Sequence, residues 1–368
     1  MRDDGINLRI SGPTPLPDGV REALGRQMLS HRSAAFRALL QKVVEGLRPV
    51  YGARTSQVLP FTASGTGGLE AAIVNTVAPG ARVLAVRGGH FGERFAEVAE
   101  HHGAEVIPFD VEWGRAVDPE DLRRRLREAA PLAAVLLTHN ETSTGVLNPL
   151  PEIAAAVREE SGALLLVDAV SSVGVTAIDM DELGVDVVVG VTQKGLMAPP
   201  GLALVAVSER ALSVSRTNGA RRYYFDFGRM AAAVAGGSTT YTPSIPCFFA
   251  LEASLSMIAE EGLPQVFARH RDLAARCRDG LGRLGLRPFA DPAHASPAIS
   301  AFLVPEGLSA GELRRRLESE HGVYVAQGRA RLKDRLLRVG HLGFVARPDI
   351  DHVIEAFASI LAQGVAQP

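Results

Sequence analysis

The chain has 368 residues, 46% hydrophobic and 22% charged, with 39 basic against 41 acidic side chains. That length calls for more than one core, and the balanced charge excludes an electrostatic footprint for nucleic acid. Two cysteines without metal spacing, no signal-peptide core and no run approaching a membrane span set the expectation: a cytoplasmic protein with no disulfide framework, no metal site and no membrane contact.

The first 17 residues are extended and rich in Gly and Pro, and are expected to wrap onto the body rather than fold alone. From about residue 60 the chain alternates apolar runs with helical patterns. Strands are predicted at 83–86, 105–109, 134–137, 164–167, 185–191 and 202–207, with helices at 69–77, 93–102, 118–129 and 150–160. Such alternation predicts an α/β fold with a parallel sheet covered on both faces. After Gly236 the character changes. Helical runs at 248–261 and 270–284 lead to β-like pieces at 299–304, 323–325 and 336–339, with helices at 309–320 and 348–361. These predict a smaller α+β domain, with the boundary near residues 250–265.

Four stretches at strand exits or helix starts carry candidate chemistry. FTASGTGGLEAA at 61–72 puts small residues ahead of a helical run, where free backbone N–H groups favour an anion. Ser64 and Thr66 add hydroxyls, and Gly65, Gly67 and Gly68 let the backbone approach a phosphate. The stretch matches neither the nucleotide phosphate loop nor the dinucleotide fingerprint, and a plain glycine-rich turn is the alternative. GGHFGER at 88–94 offers Phe91 as a flat partner for an aromatic cofactor, with His90 as the other candidate and a core phenylalanine as the alternative. THNETSTG at 138–145 supplies Asn140 or Thr142 for a phenolic ring oxygen, or is simply a polar loop.

LLLVDAVSSVG at 164–174 ends an apolar strand on Asp168. A buried carboxylate needs a cationic partner or strong hydrogen bonds. A protonated pyridine nitrogen is one such partner; a helix cap or structural salt bridge is the alternative. VDVVVGVTQKGLMAPPG at 185–201 runs a buried strand into Lys194, past the carboxyl end where open α/β sheets hold ligands. A primary amine there suits Schiff-base chemistry with an aldehyde or ketone, whereas a lysine in an arbitrary loop would be a surface group. Asp168 and Lys194 lie about one strand–connection–strand unit apart, each at a strand's exit.

In this order the motifs resemble the signatures of class V (fold-type I) pyridoxal-phosphate aminotransferases, in particular the alanine/serine–glyoxylate (serine–pyruvate) group. The similarity runs from SGPTPLP at 11–17 to LRVGHLG at 337–343. It implies the fold-type I α/β architecture. A large domain, residues 18–260, would hold a mostly parallel seven-stranded sheet covered by helices. A smaller α+β domain would span 261–368, and an N-terminal segment, 1–17, would close over the site. The resemblance also implies pyridoxal 5'-phosphate as cofactor, amino acid and 2-oxo acid substrates, and a homodimer with shared active sites.

Carried over residue by residue, Lys194 matches the lysine that binds the cofactor and later shuttles a proton, and Asp168 the partner of the ring nitrogen. Phe91 matches the stacking residue, Thr142 the hydroxyl on the ring, Gln193 the phosphate-side amide, and Ser64, Thr66 and Gly67 the phosphate cup. Gly68 stands where a small side chain is more usual. Tyr241 and Ser244, in TYTPSIP at 240–246, match donors that reach a partner subunit's phosphate. Arg338 matches the clamp for the substrate α-carboxylate, since a guanidinium binds a carboxylate bidentately, and Gly12 belongs to the closing segment. His31, Arg32 and His90 receive no role.

The implied activity moves an amino group from a small, alanine- or serine-like L-amino acid to a 2-oxo acid such as glyoxylate or pyruvate, in two half-reactions with ping-pong kinetics. A desulfurase would need a reactive cysteine in a mobile loop late in the chain, and neither Cys247 nor Cys277 occupies one. Lyase, decarboxylating and epimerising reactions use the same lysine and aspartate. A regulatory PLP-binding protein would carry a helix-turn-helix appendage, for which there is no room before Ser11.

Overall fold

A computed structural model describes residues 5–363; residues 1–4 of the expected closing segment and 364–368 of the expected smaller domain lie outside the described residues. The main sheet has seven strands, in the order Gln57–Thr62, Leu202–Val207, Val187–Val191, Leu164–Asp168, Ala134–Thr138, Arg82–Arg87 and Glu105–Asp110. The four strands Leu202–Val207, Val187–Val191, Leu164–Asp168 and Ala134–Thr138 are buried at every position. A strand covered on both faces must be apolar on both, which is why these read as unbroken apolar runs.

Successive side chains feed opposite cores. Val135, Leu137, Leu165, Val167 and Val188 join one cluster with the helices Ala34–Tyr51, Leu150–Glu160 and Ile245–Glu261. Leu136, Leu164, Leu166, Val187 and Val189 join another with Gly65–Thr76, His90–His101 and Glu209–Thr217.

Leu202–Val207 departs from the parallel expectation, pairing antiparallel with both neighbours. The connection from Val191 is a turn with no helix, and a parallel crossover needs about a dozen residues or more. Gln57–Thr62 is an additional strand that the sequence pattern does not predict. It carries Pro60, and the opposite edge strand, Glu105–Asp110, carries Pro108. Proline is tolerated at a sheet edge and discourages further pairing there.

A second sheet orders Asn7–Arg9, Val323–Gln327, Leu336–Gly340, Ile299–Leu303 and Arg287–Pro288. Its core runs from Leu273 to Ile360, with Phe302, Leu313 and Phe357 fully buried. The opening segment supplies an edge strand, Asn7–Arg9, parallel to Val323–Gln327. Asn7 Nδ2 donates to the Asp349 carbonyl at 2.7 Å, and the chain then crosses to the carboxyl end of the main sheet.

Candidate active site

The turn after Val187–Val191 is fixed by its own backbone: Ala198 N–H donates to Thr192 O at 3.0 Å and Met197 N–H to Lys194 O at 3.1 Å. Lys194 is half-buried. Loss of hydration lowers its amine to about 8, partly opposed by the Asp168 charge. The N-terminal segment lies directly over it. Lys194 Nζ donates to the Ser11 carbonyl, Thr14 Oγ1 donates to Lys194 O at 3.1 Å, and Thr14 N–H donates to Gln193 O at 3.1 Å. Gly12 has φ +109°, and a Cβ there would stand 2.6–2.8 Å from the Lys194 side chain. Only glycine fits both conditions.

Asp168 ends the next strand and is 4% exposed. Among the described residues its carboxylate accepts one hydrogen bond, from Val170 N–H at 3.0 Å, and burial pushes its carboxyl up to about 7. The polar stretch that follows Ala134–Thr138 lies alongside: His139 N–H donates to Asp168 O at 2.9 Å, and Asn140 Nδ2 donates to Ser171 Oγ at 2.8 Å. His139 is fully enclosed, and burial lowers it to about 4.

Arg338, 2% exposed, lies on Leu336–Gly340. Its Nε and Nη2 donate to Gln327 O at 2.9 and 2.7 Å, and its Nη1 donates to Thr142 O at 2.9 Å. Burial lowers it to about 10. A guanidinium has five N–H donors, so these bonds leave one N–H on each terminal nitrogen. That is the fork a carboxylate accepts.

Phe91 is half-buried at the start of His90–His101. The Arg94 guanidinium lies 5.0 Å from its ring centroid, and the His90 ring meets it edge-on at 5.4 Å. Arg94 Nη2 donates to His90 Nε2 at 3.1 Å. Burial, followed by repulsion from Arg94 and Arg329, lowers the His90 pKa.

The helix Gly65–Thr76 starts beside the same sheet end. Ser64 and Thr66 are exposed, and Gly67 N–H is held only by Ser64 Oγ at 3.4 Å. Gly68 lies one residue further into the helix and is buried. Its N–H donates to Ser64 O at 3.1 Å, and a Cβ on it would stand 2.6 Å from Val189 Cγ1. Glycine there lets the helix approach the sheet closely.

Within this chain Ser244 N–H donates to Thr62 Oγ1 at 3.1 Å, and Tyr241 stacks on Tyr224 with centroids 5.0 Å apart. Arg32 is exposed, and the His31 carbonyl accepts from Ser238 Oγ at 3.4 Å. Glu141 and Ser143, which the sequence pattern does not single out, accept from Phe91 N–H and His90 N–H. The available signal was the one that singled out Asp168, an acid just past a buried strand.

The residues present fit a phosphorylated, nitrogen-heterocyclic aldehyde. Gln193 Oε1, Asn140 Oδ1 and Thr138 Oγ1 are buried without hydrogen-bond partners among the described residues, and such atoms call for a ligand. Lys194 is an amine of lowered pKa, Asp168 an under-bonded carboxylate, and the helix start at Ser64–Gly67 an anion site.

The aminotransferase class-V family matches residues 20–342. The chain is 38% identical to the soluble hydrogenase 42 kDa subunit of Anabaena cylindrica, over 98% of this chain and 94% of that protein. It is 37% identical to L-aspartate–glyoxylate aminotransferase of Paracoccus denitrificans, over 91% and 85%. The structure of alanine–glyoxylate aminotransferase from Nostoc sp. superposes with a TM-score of 0.94 at 30% identity, covering 98% of this chain and 96% of that one. The chain belongs to the class-V aminotransferases, whose fold depends in general on pyridoxal 5'-phosphate. It is an enzyme that transfers amino groups; the family match, not the hydrogenase name of one relative, decides the class. Among the described residues no helix is long and apolar enough to cross a membrane.

Proposed function

We propose that this protein moves the amino group of a small L-amino acid to glyoxylate or a similar 2-oxo acid, with pyridoxal 5'-phosphate bound at Lys194. The observation that carries this reading is the trio at one sheet end: an amine of lowered pKa, a buried carboxylate with a single hydrogen bond, and an arginine with two free N–H groups. The relatives named for glyoxylate support the acceptor. When bound, the cofactor supplies an electron sink for the charge left at the substrate α-carbon.

The chain's own residues do the rest. Arg338 receives the substrate carboxylate and thereby fixes which face of the α-carbon meets Lys194. The Lys194 amine, at about 8, is partly neutral near physiological pH, so it takes the α-proton and returns it as a general base and acid. Asp168 keeps a cationic ring nitrogen charged, and that cation removes the burial penalty on its own carboxylate. With the cofactor bound, Thr142, Gln193, Ser64, Thr66 and Gly67 would hold its ring oxygen and phosphate, and Phe91 would pack on its ring. Ser11–Pro13 roofs the lysine and keeps water out.

Residues 18–260 and, among those described, 261–363 act as the two domains about this site, with 5–17 bridging them. Tyr241 and Ser244 serve the phosphate of a second copy in a homodimer. The clustering of the exposed Tyr223 and Tyr224 with Tyr241 supports that surface.

The test is a panel of amino donors with glyoxylate as acceptor, following conversion of the bound cofactor to its amine form and release of the 2-oxo acid. Conversion by alanine or serine, with glycine as product, is expected. A donor that is decarboxylated or racemised without cofactor conversion would contradict the reading.

A further inference from the structure

Glu141 is 2% exposed, and all of its hydrogen bonds come from neutral donors. Oε2 accepts from Phe91 N–H and Gly92 N–H, each at 3.0 Å. Oε1 accepts from Ser143 N–H at 3.0 Å and from Ser143 Oγ at 2.6 Å. Ser143 Oγ in turn accepts from His90 N–H at 3.0 Å. The first N–H groups of the helix His90–His101 are thus consumed by side chains some fifty residues further along the chain. Charge-assisted bonds and the helix dipole stabilise the carboxylate there, yet burial still raises its pKa.

Capping alone does not call for this arrangement. Ser33, Ser64 and Ser309 each cap a helix locally, with no buried charge. The helix at His90 instead begins on Gly89, which offers no cap. A Cβ on Gly89 would stand 2.5 Å from Glu141 Cγ and Cδ and 2.6 Å from Ser143 Oγ. A local serine cap is therefore excluded by the glutamate that replaces it. What the imported carboxylate adds is a tether between Phe91 and the stretch Asn140–Ser143, whose Thr142 carbonyl holds Arg338 and whose Asn140 is bonded to Ser171 near Asp168.

We propose that Glu141 is a positioning residue, which fixes the Phe91 ring relative to the cofactor through the Phe91 and Gly92 backbone N–H groups. The proposal rests on the reading of Phe91 as the stacking residue. Glu141 also lies close enough to Asp168 for its charge to raise that carboxyl further, so the tether and the ring-nitrogen partner share one electrostatic environment.

The test is a double-mutant cycle on the purified enzyme, using Glu141→Gln, Phe91→Leu and the pair. It reads the pyridoxal 5'-phosphate dissociation constant and the circular dichroism of the bound cofactor. Phe91→Leu should weaken binding about two- to tenfold, from lost stacking. Glu141→Gln should weaken it about tenfold, because its amide places a donor against a donor, and should change the sign or intensity of the cofactor band. In the Phe91→Leu background the same Glu141 change should cost less than about twofold, since coupled residues are not additive. An equal loss in both backgrounds, or an unchanged band in Glu141→Gln, overturns the proposal while sparing Phe91. A silent Phe91→Leu removes the stacking reading itself, and the proposal with it. Should Glu141→Gln not fold, Ser143→Ala must shift the band in the same direction to a smaller extent; an unchanged band there overturns the proposal.

Discussion

Asp168 and Asp186 are buried at opposite ends of neighbouring strands in one sheet, 4% and 3% exposed, and they are served very differently. Asp186, at the amino end, accepts from Leu165 N–H and Ser208 Oγ at 3.0 Å each and pairs with Arg210 at 3.3 Å. Asp168, at the carboxyl end, has one hydrogen bond from Val170 N–H. Burial raises both carboxyls, but among the described residues Asp186 has two hydrogen bonds and an ion pair while the Asp168 carboxylate has a single backbone N–H. An under-bonded buried carboxylate costs several kcal/mol unless something else completes it. The contrast teaches that one aspartate is satisfied by the scaffold, whereas the other, on the proposed function, would be completed by the cationic ring of the cofactor.

The largest effect should come beside Asp168. Lys194→Ala should lower transamination turnover about a thousandfold or more, since the general base is lost with the covalent anchor. The thermal midpoint of the cofactor-free protein should stay close to wild type. Asp168→Asn should lower kcat by about a hundredfold or more, whereas Asp186→Asn should leave kcat within about twofold and lose about 1–3 kcal/mol of stability. Steady-state kinetics and urea unfolding on the two variants separate these outcomes, and equal kinetic losses would erase the distinction. Arg338→Lys should lower kcat/KM about ten- to a hundredfold, chiefly through KM, because an ammonium cannot reproduce the two-pronged contact.

The smallest effect sharpens the contrast through pH. The folded Asp168 carboxyl is raised from 3.8 to about 7. Its protonated form therefore favours the folded state below the unfolded value, and that contribution is lost as pH rises through about 7. In cofactor-free protein Asp168→Asn should raise the melting temperature at about pH 8 and change little at about pH 4. His270 and His341 run the other way, lowered from 6.5 to about 3 by burial. Their contribution is present above 6.5 and lost as pH falls toward those values. Calorimetry across this range checks both signs.

The carboxyl ends of the buried strands were legible because apolar runs must stop where polar chemistry begins, and Asp168 and Lys194 stand at two such stops. Leu202–Val207 was legible as a strand but not in its direction, which depends on a turn too short for a crossover. Gln57–Thr62 was hidden by Pro60, a residue that only its edge position permits. The close packing of Gly68 on Val189 was not legible, because glycine serves close backbone approach to a ligand and close helix–sheet packing equally well. Glu141 escaped notice because its partners are backbone N–H groups of a distant helix, which no side-chain pattern announces.

The chain has three lysines, Lys42, Lys194 and Lys333, and that scarcity makes the central claim directly measurable. Borohydride reduction of the enzyme with bound pyridoxal 5'-phosphate, followed by peptide mass mapping, should place the reduced cofactor on Lys194 alone, at about one per chain. Lys42 is exposed and paired with Glu252, and Lys333 is exposed; neither has a buried carboxylate beside it. Stoichiometric label on either of them, or none on Lys194, would contradict the site built around Asp168.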